Sequence, residues 1–531
     1  MRFVTLCLLL PLLLGLSTSA VAQVTFLDTD TRAPQGDGFP GDGYGNAVAL
    51  SADGRTAVVG APFSNGTEGA VHVFRNEGGT WVHQQRLSLT ETSPGEGALG
   101  STLGDAVAVS ADGSVIVATA PFFRNEDGPT MTGGAFTFER GGDGRYTKTA
   151  DLITTNVRGS DVFYFDVAMN DDGNRVVLSA VTADPATART TPTVLTFERV
   201  GGAWTERAPA LATPAEGDAF AFESAGQAIA ISGNGQTVAI GNVTLYNGQG
   251  AALLFDYDGT TWQPRGEVRV PGASTFGSPS NVALDGDGDV LAVTDRSFSS
   301  FNGRVQIYTR SGNAWTQQAE LVPSDGGASA AGVGEDFGLG LALRADGRAL
   351  VATAPFNFDF PTTFRGRIYA FENTGGGTWV ERENISLPAG EAEECLSVGL
   401  SADGATTLLG CSSVPDVPGG LFGVAVVLED LAVDAEAEGP TPVTFGLGVA
   451  PNPVGAGQAT SVRLDLDTAS DVRIEVFDVL GRRVATLHDG PLSSGPQALA
   501  LSTAAYPSGL YLVRATIEGE AAATRRLSVV Q

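Results

Sequence analysis

One fifteen-residue stretch recurs along this chain, and its recurrence limits the possible folds more than any other feature. ALSADGRTAVVGAPF (49–63) returns as AVSADGSVIVATAPF (108–122) and ALRADGRALVATAPF (342–356). Aligned on the Asp-Gly or Asn-Gly pair, the unit occurs seven times, at Asp53-Gly54, Asp112-Gly113, Asp172-Gly173, Asn234-Gly235, Asp287-Gly288, Asp346-Gly347 and Asp403-Gly404. Successive pairs stand 59, 60, 62, 53, 59 and 57 residues apart. A period of this length marks an array of like supersecondary units.

Each unit reads as four strands. NAVALS, DAVAVS or QAIAIS comes first, and the Asp/Asn-Gly pair turns the chain as tight hairpins require. TAVVGA or VIVATA follows, then a loop of variable length, then GAVHVFR, GAFTFER or RVQIYTR. The fourth strand opens on an aromatic residue. Trp81, Trp204, Trp262, Trp315 and Trp379, all five tryptophans, hold this slot, with Tyr146 in the second unit. Alternation and β-branched enrichment support strands, and no helical period is sustained. Seven four-stranded units predict an all-β chain with a seven-bladed β-propeller. The aromatic slot reads as a wedge between neighbouring blades.

The seventh unit has three strands and no aromatic strand after them. VTFLDTD (24–30) resembles the end of a fourth strand and is expected to complete that blade, which covers an open sheet edge. Cys395 and Cys411 flank the turn at Asp403-Gly404, so a hairpin sets them opposite each other. A disulfide is expected in an oxidising compartment, with two buried thiols as the alternative.

GYGNAVALSADGRTAVVGAPF…GAVHVF and DFGLGLALRADG…ATAPF…RIYAFEN resemble FG-GAP repeats, the units of the integrin α-subunit propeller and of many bacterial surface proteins. The FG element stands at Phe337-Gly338 and Phe276-Gly277, and loosely at Tyr44-Gly45; the GAP element is complete at Gly60-Ala61-Pro62. The resemblance implies a propeller over roughly 24–430. It also implies calcium in an Asp-rich loop between the first two strands. Here that loop is SADGR, with one carboxylate, against the six to eight oxygens calcium takes. LDGDGDV is the exception, with Asp285, Asp287 and Asp289, and reads either as a solvated turn or as a single weak calcium site. No other cofactor is expected.

The formal net charge is −29 and Lys148 is the only lysine, a surface that repels nucleic acid and anionic lipid. Residues 1–22 have a basic start, an apolar run and Ala20-Val21-Ala22, the pattern of a secretory signal peptide. No later stretch is long and apolar enough for a transmembrane helix. No Ser-His-Asp, Cys-His or zinc spacing is present, and His72 and His83 read as surface residues. In the variable loops, Phe63, Phe122 and Phe356 share one register and read as structural. Phe123, Phe301, Phe358, Phe360 and Phe364 do not, and are candidate exposed contacts for a protein or glycan.

After Asp430 the composition changes. Residues 431–442 read as a linker, and 443–531 as a small Ig-like β-sandwich of about seven strands. Pro451-Asn452-Pro453, VFDVLGRRV with Gly481 and Arg482, and PSGLYLVR with Gly509 and Tyr511 resemble the C-terminal sorting domain of type IX secretion. The resemblance implies export through that machinery to the outer-membrane cell surface or the medium.

The expectation is therefore a propeller at 23–430 that binds a protein or glycan in adhesion or recognition, without catalysis. The alternatives are an exported polysaccharide hydrolase or lyase with its site in the funnel, and a structural envelope component.

Overall fold

The computed structural model describes residues 23–27, 42–92, 100–123, 133–154, 161–184, 189–211, 225–243, 245–273, 279, 281–324, 335–359, 363–386, 395–411, 423–429, 447–450, 454–455, 458–466, 470–478, 483–504, 506, 509–517 and 521–530. The chain divides into two compact units, Met1–Ala435 and Glu436–Gln531. Residues 1–22, read from the sequence as a leader, and 431–442, read as a linker, lie outside the described residues.

Among the described residues, the first unit carries seven four-stranded antiparallel sheets. Sheet 1 consists of Val48–Leu50, Thr56–Ala61, Ala70–Asn76 and Trp81–Leu87. Sheets 2 to 6 repeat this meander over 107–152, 161–211, 225–268, 282–321 and 341–386. In sheet 7, Cys395–Leu400, Thr406–Cys411 and Val424–Glu429 are joined by Gln23–Leu27 from the other end of the chain. Gln23 pairs with Glu429 and Leu27 with Ala425.

The burial of each strand follows its place in the sheet. The second strands TAVVGA, VIVATA and TVAIGN are buried at every residue, because sheets pack on both faces. The fourth strand YTKTADL alternates between buried and accessible positions. The hairpins between first and second strands have one local design. Gly54, Gly113, Gly173, Gly235, Gly288, Gly347 and Gly404 take φ between +65° and +80°, which residues with a Cβ adopt at a cost. Ser51 Oγ accepts the Thr56 N–H, and Asp53 Oδ1 accepts the Arg55 N–H. Ser110 with Asp112, and Ser401 with Asp403, repeat the pair.

These turns also connect the sheets. Asp53 N–H donates to Ala111 O, Ala111 N–H to Asp171 O, and Asp171 N–H to Gly233 O. Asn234 N–H donates to Gly286 O, Gly286 N–H to Ala345 O, and Ala402 N–H to Ala52 O. The first strands of sheets 6 and 7 are also in contact. Each sheet therefore meets the next and the seventh meets the first. The array closes on itself as a β-propeller, which leaves few free sheet edges.

The aromatic slot fills the junctions. Trp81 packs in a core shared by sheets 7 and 1, and Tyr146 in one shared by sheets 1 and 2. Trp204, Trp262, Trp315 and Trp379 do the same at the next four junctions. The junction of sheets 6 and 7 has no such ring, because the outer strand of sheet 7 is the N-terminal segment. Its core contains the disulfide between Cys395 and Cys411, which are directly paired across their hairpin.

Glycines of the repeat let backbones of adjacent sheets touch. A Cβ on Gly60 would stand 2.0 Å from Gly104 O, and one on Gly45 2.4 Å from Val424 O. The FG and GAP glycines thus serve close packing of sheet against sheet.

The second unit has a three-stranded sheet (Leu447–Ala450, Ala459–Leu466, Gly495–Ser502) and a five-stranded one. The five strands are Val454–Gly455, Ala521–Val530, Gly509–Ile517, Ser470–Asp478 and Arg483–Leu492. Val462 and Leu464 from the first sheet share a core with Val472, Ile474, Val476 and Val513 from the second. Eight strands are described where the sequence led us to expect about seven, the additional one being the short Val454–Gly455, paired in parallel with Val529–Val530.

Two backbone tests follow. Gly60→Ala must push against a neighbouring carbonyl and should cost about 3 kcal/mol in a denaturant titration. Gly78→Ala, with open space but φ +65°, should cost about 1 kcal/mol through backbone strain alone.

Candidate functional site

The variable loops join second to third strands, so they leave every sheet at the same end. In sheets 1 and 5 the loop contains a left-handed turn. Asn65, Gly66 and Thr67 have φ 51°, 69° and 72°, and Ser299, Ser300 and Phe301 have φ 51°, 61° and 70°. Non-glycine residues there carry strain on the order of 1 kcal/mol each. Contacts to the next sheet hold the turn. Thr67 O and Glu68 O accept from Thr102 and Leu103 N–H, and Phe301 O and Asn302 O from Asp336 and Phe337 N–H.

On this loop side stand three exposed rings: Phe63 (46% exposed), Phe122 (43%) and Phe301 (59%). Phe301 is accessible, as expected. Phe123 is not: it is 4% exposed and its ring packs edge-on against Phe136 at 5.0 Å. Its neighbour Phe122, read from its shared register as structural, faces solvent instead, as does Phe63. The Ala-Pro before each ring fixes its position in the turn, and that position points outward. Phe358 and Phe364 lie in register on two strands, Ala349–Asp359 and Thr363–Asn373, where a loop was expected. Phe360 lies outside the described residues.

Phe122 continues inward. Its ring meets Phe163 edge-on at 5.6 Å, and Phe163 stacks with Phe165 at 6.3 Å. Phe163 and Phe165 belong to Asp161–Met169, the first strand of sheet 3, which is nine residues long where those of sheets 1, 2, 5 and 6 have three. A bulge between Tyr164 and Asp166 leaves Phe165 without a cross-strand partner.

Asp166 follows immediately. Its Oδ1 accepts from Val167 N–H at 2.8 Å, and its Oδ2 from Ile229 N–H of sheet 4 at 3.2 Å. Burial, with a smaller contribution from the Asp105 charge of sheet 2, raises its pKa to about 7 despite those two donors. Burial alone raises Asp105 to about 6. Two buried carboxyl groups whose pKa values are raised toward neutrality can bind or pass a proton. The sequence reading missed both. The available signal was a carboxylate directly before the apolar first strand, as in GDAVAVS.

Asp285, Asp287 and Asp289 are not drawn together. Asp285 is buried, and its Oδ1 accepts from Asp289 and Val290 N–H. It occupies the place that Ser51 and Ser110 hold in other turns and does the same work. Among the described residues, no group of three or more His, Cys, Asp or Glu side chains is arranged to hold a metal ion. His72 is buried rather than superficial, with Nδ1 3.2 Å from His83 Nε2.

In the second unit, Tyr511 is buried and stacks on Tyr506 at 4.9 Å. Gly509 begins the strand Gly509–Ile517. Pro451, Asn452, Pro453, Gly481 and Arg482 lie outside the described residues.

Residues 34–74 match the FG-GAP repeat family. The match covers the first turn, the GAP element and most of the third strand of sheet 1. No curated protein matches the chain. Among solved structures, a fungal alcohol oxidase of the AA5 family, in complex with copper, is similar at 13% identity and a TM-score of 0.44, over 93% of this chain and 99% of that one. The periplasmic gluconolactonase PpgL of Pseudomonas aeruginosa is similar at 15% identity and 0.41, over 81% and 94%. TolB from Acinetobacter baumannii is similar at 12% and 0.32, over 72% and 80%. At these scores none of the three carries an argument about chemistry. The first unit is thus a β-propeller with an FG-GAP repeat match at 34–74, followed by a second all-β unit, and no helix among the described residues is long and apolar enough to cross a membrane.

The Asp105 environment sets a pH test. Its pKa is raised in the fold, so stability falls as the pH rises from about 4 to about 6, and the cost of the ionised form is fully present above that. Asp105→Asn should raise the melting temperature at pH 8 and lose that advantage below about pH 4, where both states bind the proton.

Proposed function

We propose that the chain is an exported seven-bladed FG-GAP propeller that binds a protein or glycan ligand on the face of its second-to-third-strand loops. The observation that carries this reading is the exposure of Phe63, Phe122 and Phe301 on that one side. Packing in the repeat is otherwise saturated, since wedge aromatics and glycines are used up between sheets. Rings that keep this much exposure, Phe122 included although one edge rests on Phe163, are suited to contact a partner. In adhesion or recognition such a face needs no cofactor. The Cys395–Cys411 bond suits an oxidising compartment outside the cytoplasm.

Delivery belongs to the same proposal. The signal-peptide pattern at 1–22 and the PNP, LGRR and GLYLVR motifs support export by type IX secretion, with 443–531 as an Ig-like sorting sandwich. A chain lacking 443–531 should accumulate inside the outer membrane, as read by fractionation; its unchanged appearance at the surface would refute this route.

A second reading rests on the Asp105–Asp166 pair, which would supply acid and base to a polysaccharide hydrolase or lyase in the funnel. Turnover of a polysaccharide that Asp166→Asn abolishes would favour it over pure binding.

Binding is tested on glycan arrays and host or neighbour cells. Phe122→Ala and Phe301→Ala should each weaken binding about tenfold or more, with the melting temperature unchanged in Phe301→Ala and lowered slightly in Phe122→Ala by loss of the Phe163 contact. Phe123→Ala should instead cost about 3–5 kcal/mol of stability, as loss of a core ring does.

A further inference from the structure

Sheets 7 and 1 meet at a seam, and one tyrosine bridges it. The Tyr44 hydroxyl donates to Leu27 O of the closing strand at 3.1 Å. Its carbonyl oxygen lies so close to Gly423 of sheet 7 that a Cβ there would come within 1.5 Å. Its ring rests edge-on against His72 of sheet 1, with centroids 5.4 Å apart.

His72 lies in Ala70–Asn76 and is buried; its Nδ1 shares one hydrogen bond with His83 Nε2 on the outer strand. A neutral pair satisfies that bond, since one ring donates and the other accepts. When both rings are protonated, two N–H groups and two positive charges face each other.

The surroundings offer no relief. In register beside His72 stand Arg86 on the outer strand and Val59 on the inner one. Phe74 packs on His83 at 5.0 Å. From sheet 7, Leu408, Ala425 and Val427 supply an apolar wall in the core that contains Tyr44. The charged group on that strand, Glu429, is taken by Asn76 and Trp81 at the strand end. Asp42 accepts the Tyr44 backbone N–H. Among the described hydrogen bonds, neither imidazole meets a carboxylate.

We propose that this seam is an acid-sensitive latch: protonation of the His72–His83 pair unseats Tyr44 and releases the closing strand Gln23–Leu27, while the Cys395–Cys411 bond keeps the hairpin of sheet 7 intact. The propeller then opens at one defined junction and exposes the edge strand Val424–Glu429.

The direction of the pH effect follows from linkage. Burial, then the His83 and Arg86 charges, lower the His72 pKa to about 3, and burial lowers His83 as well. An opened seam lets both rings titrate near their ordinary value, so the closed form is most stable above about pH 6.5 and loses stability as the pH falls below it. Asp42 acts in the opposite sense, since burial raises its pKa and its ionised form is the costly one.

Amide hydrogen exchange on the full chain tests the latch, with protection corrected for the intrinsic exchange rate at each pH. Between about pH 7.5 and pH 5, protection of Gln23–Leu27 and Val424–Glu429 should fall by on the order of tenfold. Thr237–Asn242 in sheet 4 should keep its protection. His72→Gln, which can still hydrogen-bond but does not titrate, should remove the pH dependence. A disulfide staple from Thr25→Cys with Val427→Cys, residues paired in register, should also prevent the opening. If His72→Gln fails to fold, His83→Asn and the staple decide. An equal loss of protection in every sheet, or an unchanged pH profile in His72→Gln or His83→Asn, would overturn the proposal.

Discussion

The fold depends on the pairing of Gln23–Leu27 with Val424–Glu429. Every sheet of the first unit has residues on both faces that need a neighbour, so an open row of sheets would leave an apolar face of sheet 1 and of sheet 7 in water. Closing the row removes both faces. The closure is a backbone ladder between segments about 400 residues apart in the chain.

Two devices make the ring regular enough to close. The Asp/Asn-Gly turns donate to one another from sheet to sheet, which fixes the spacing of the first strands. Gly45 and Gly60 permit backbone-to-backbone contact that any Cβ would block. Together they consume nearly all of the repeated residues, which leaves the second-to-third-strand loops free to vary. Phe63, Phe122 and Phe301 lie there. The strain in the left-handed turns is tolerated because inter-sheet hydrogen bonds hold both loops.

Much of this architecture is readable in the residues. The seven turns, the four-strand units, the aromatic wedge and the N-terminal completion of sheet 7 follow from periodicity and from the absence of a tryptophan-opened fourth strand after Val424–Glu429. Site residues were less legible. Phe122 and Phe123 are adjacent, and the recurrence of the first suggests a structural role. Recurrence reported a common turn geometry, whereas burial depends on whether the third strand offers a ring such as Phe136 to pack on. Asp285 resembled a metal ligand because carboxylates alternate around it; in place, its oxygen closes a hairpin as serine does elsewhere. His72 and His83 looked superficial on strands that alternate, yet the approach of sheet 7 with Tyr44 covers one of them.

Local chemistry explains what the sequence alone determined: where the chain turns, which strands are buried on both faces, and which residue opens each outer strand. Those properties depend on φ, side-chain branching and alternation within a few residues. Tertiary structure alone decided which polar groups meet across sheets. The charge of Asp105 felt at Asp166, and Tyr44 in contact with both His72 and Leu27, are interactions between distant segments set by ring closure. No local pattern encodes such distances, because they arise from how sheets of equal rise are packed around a common axis.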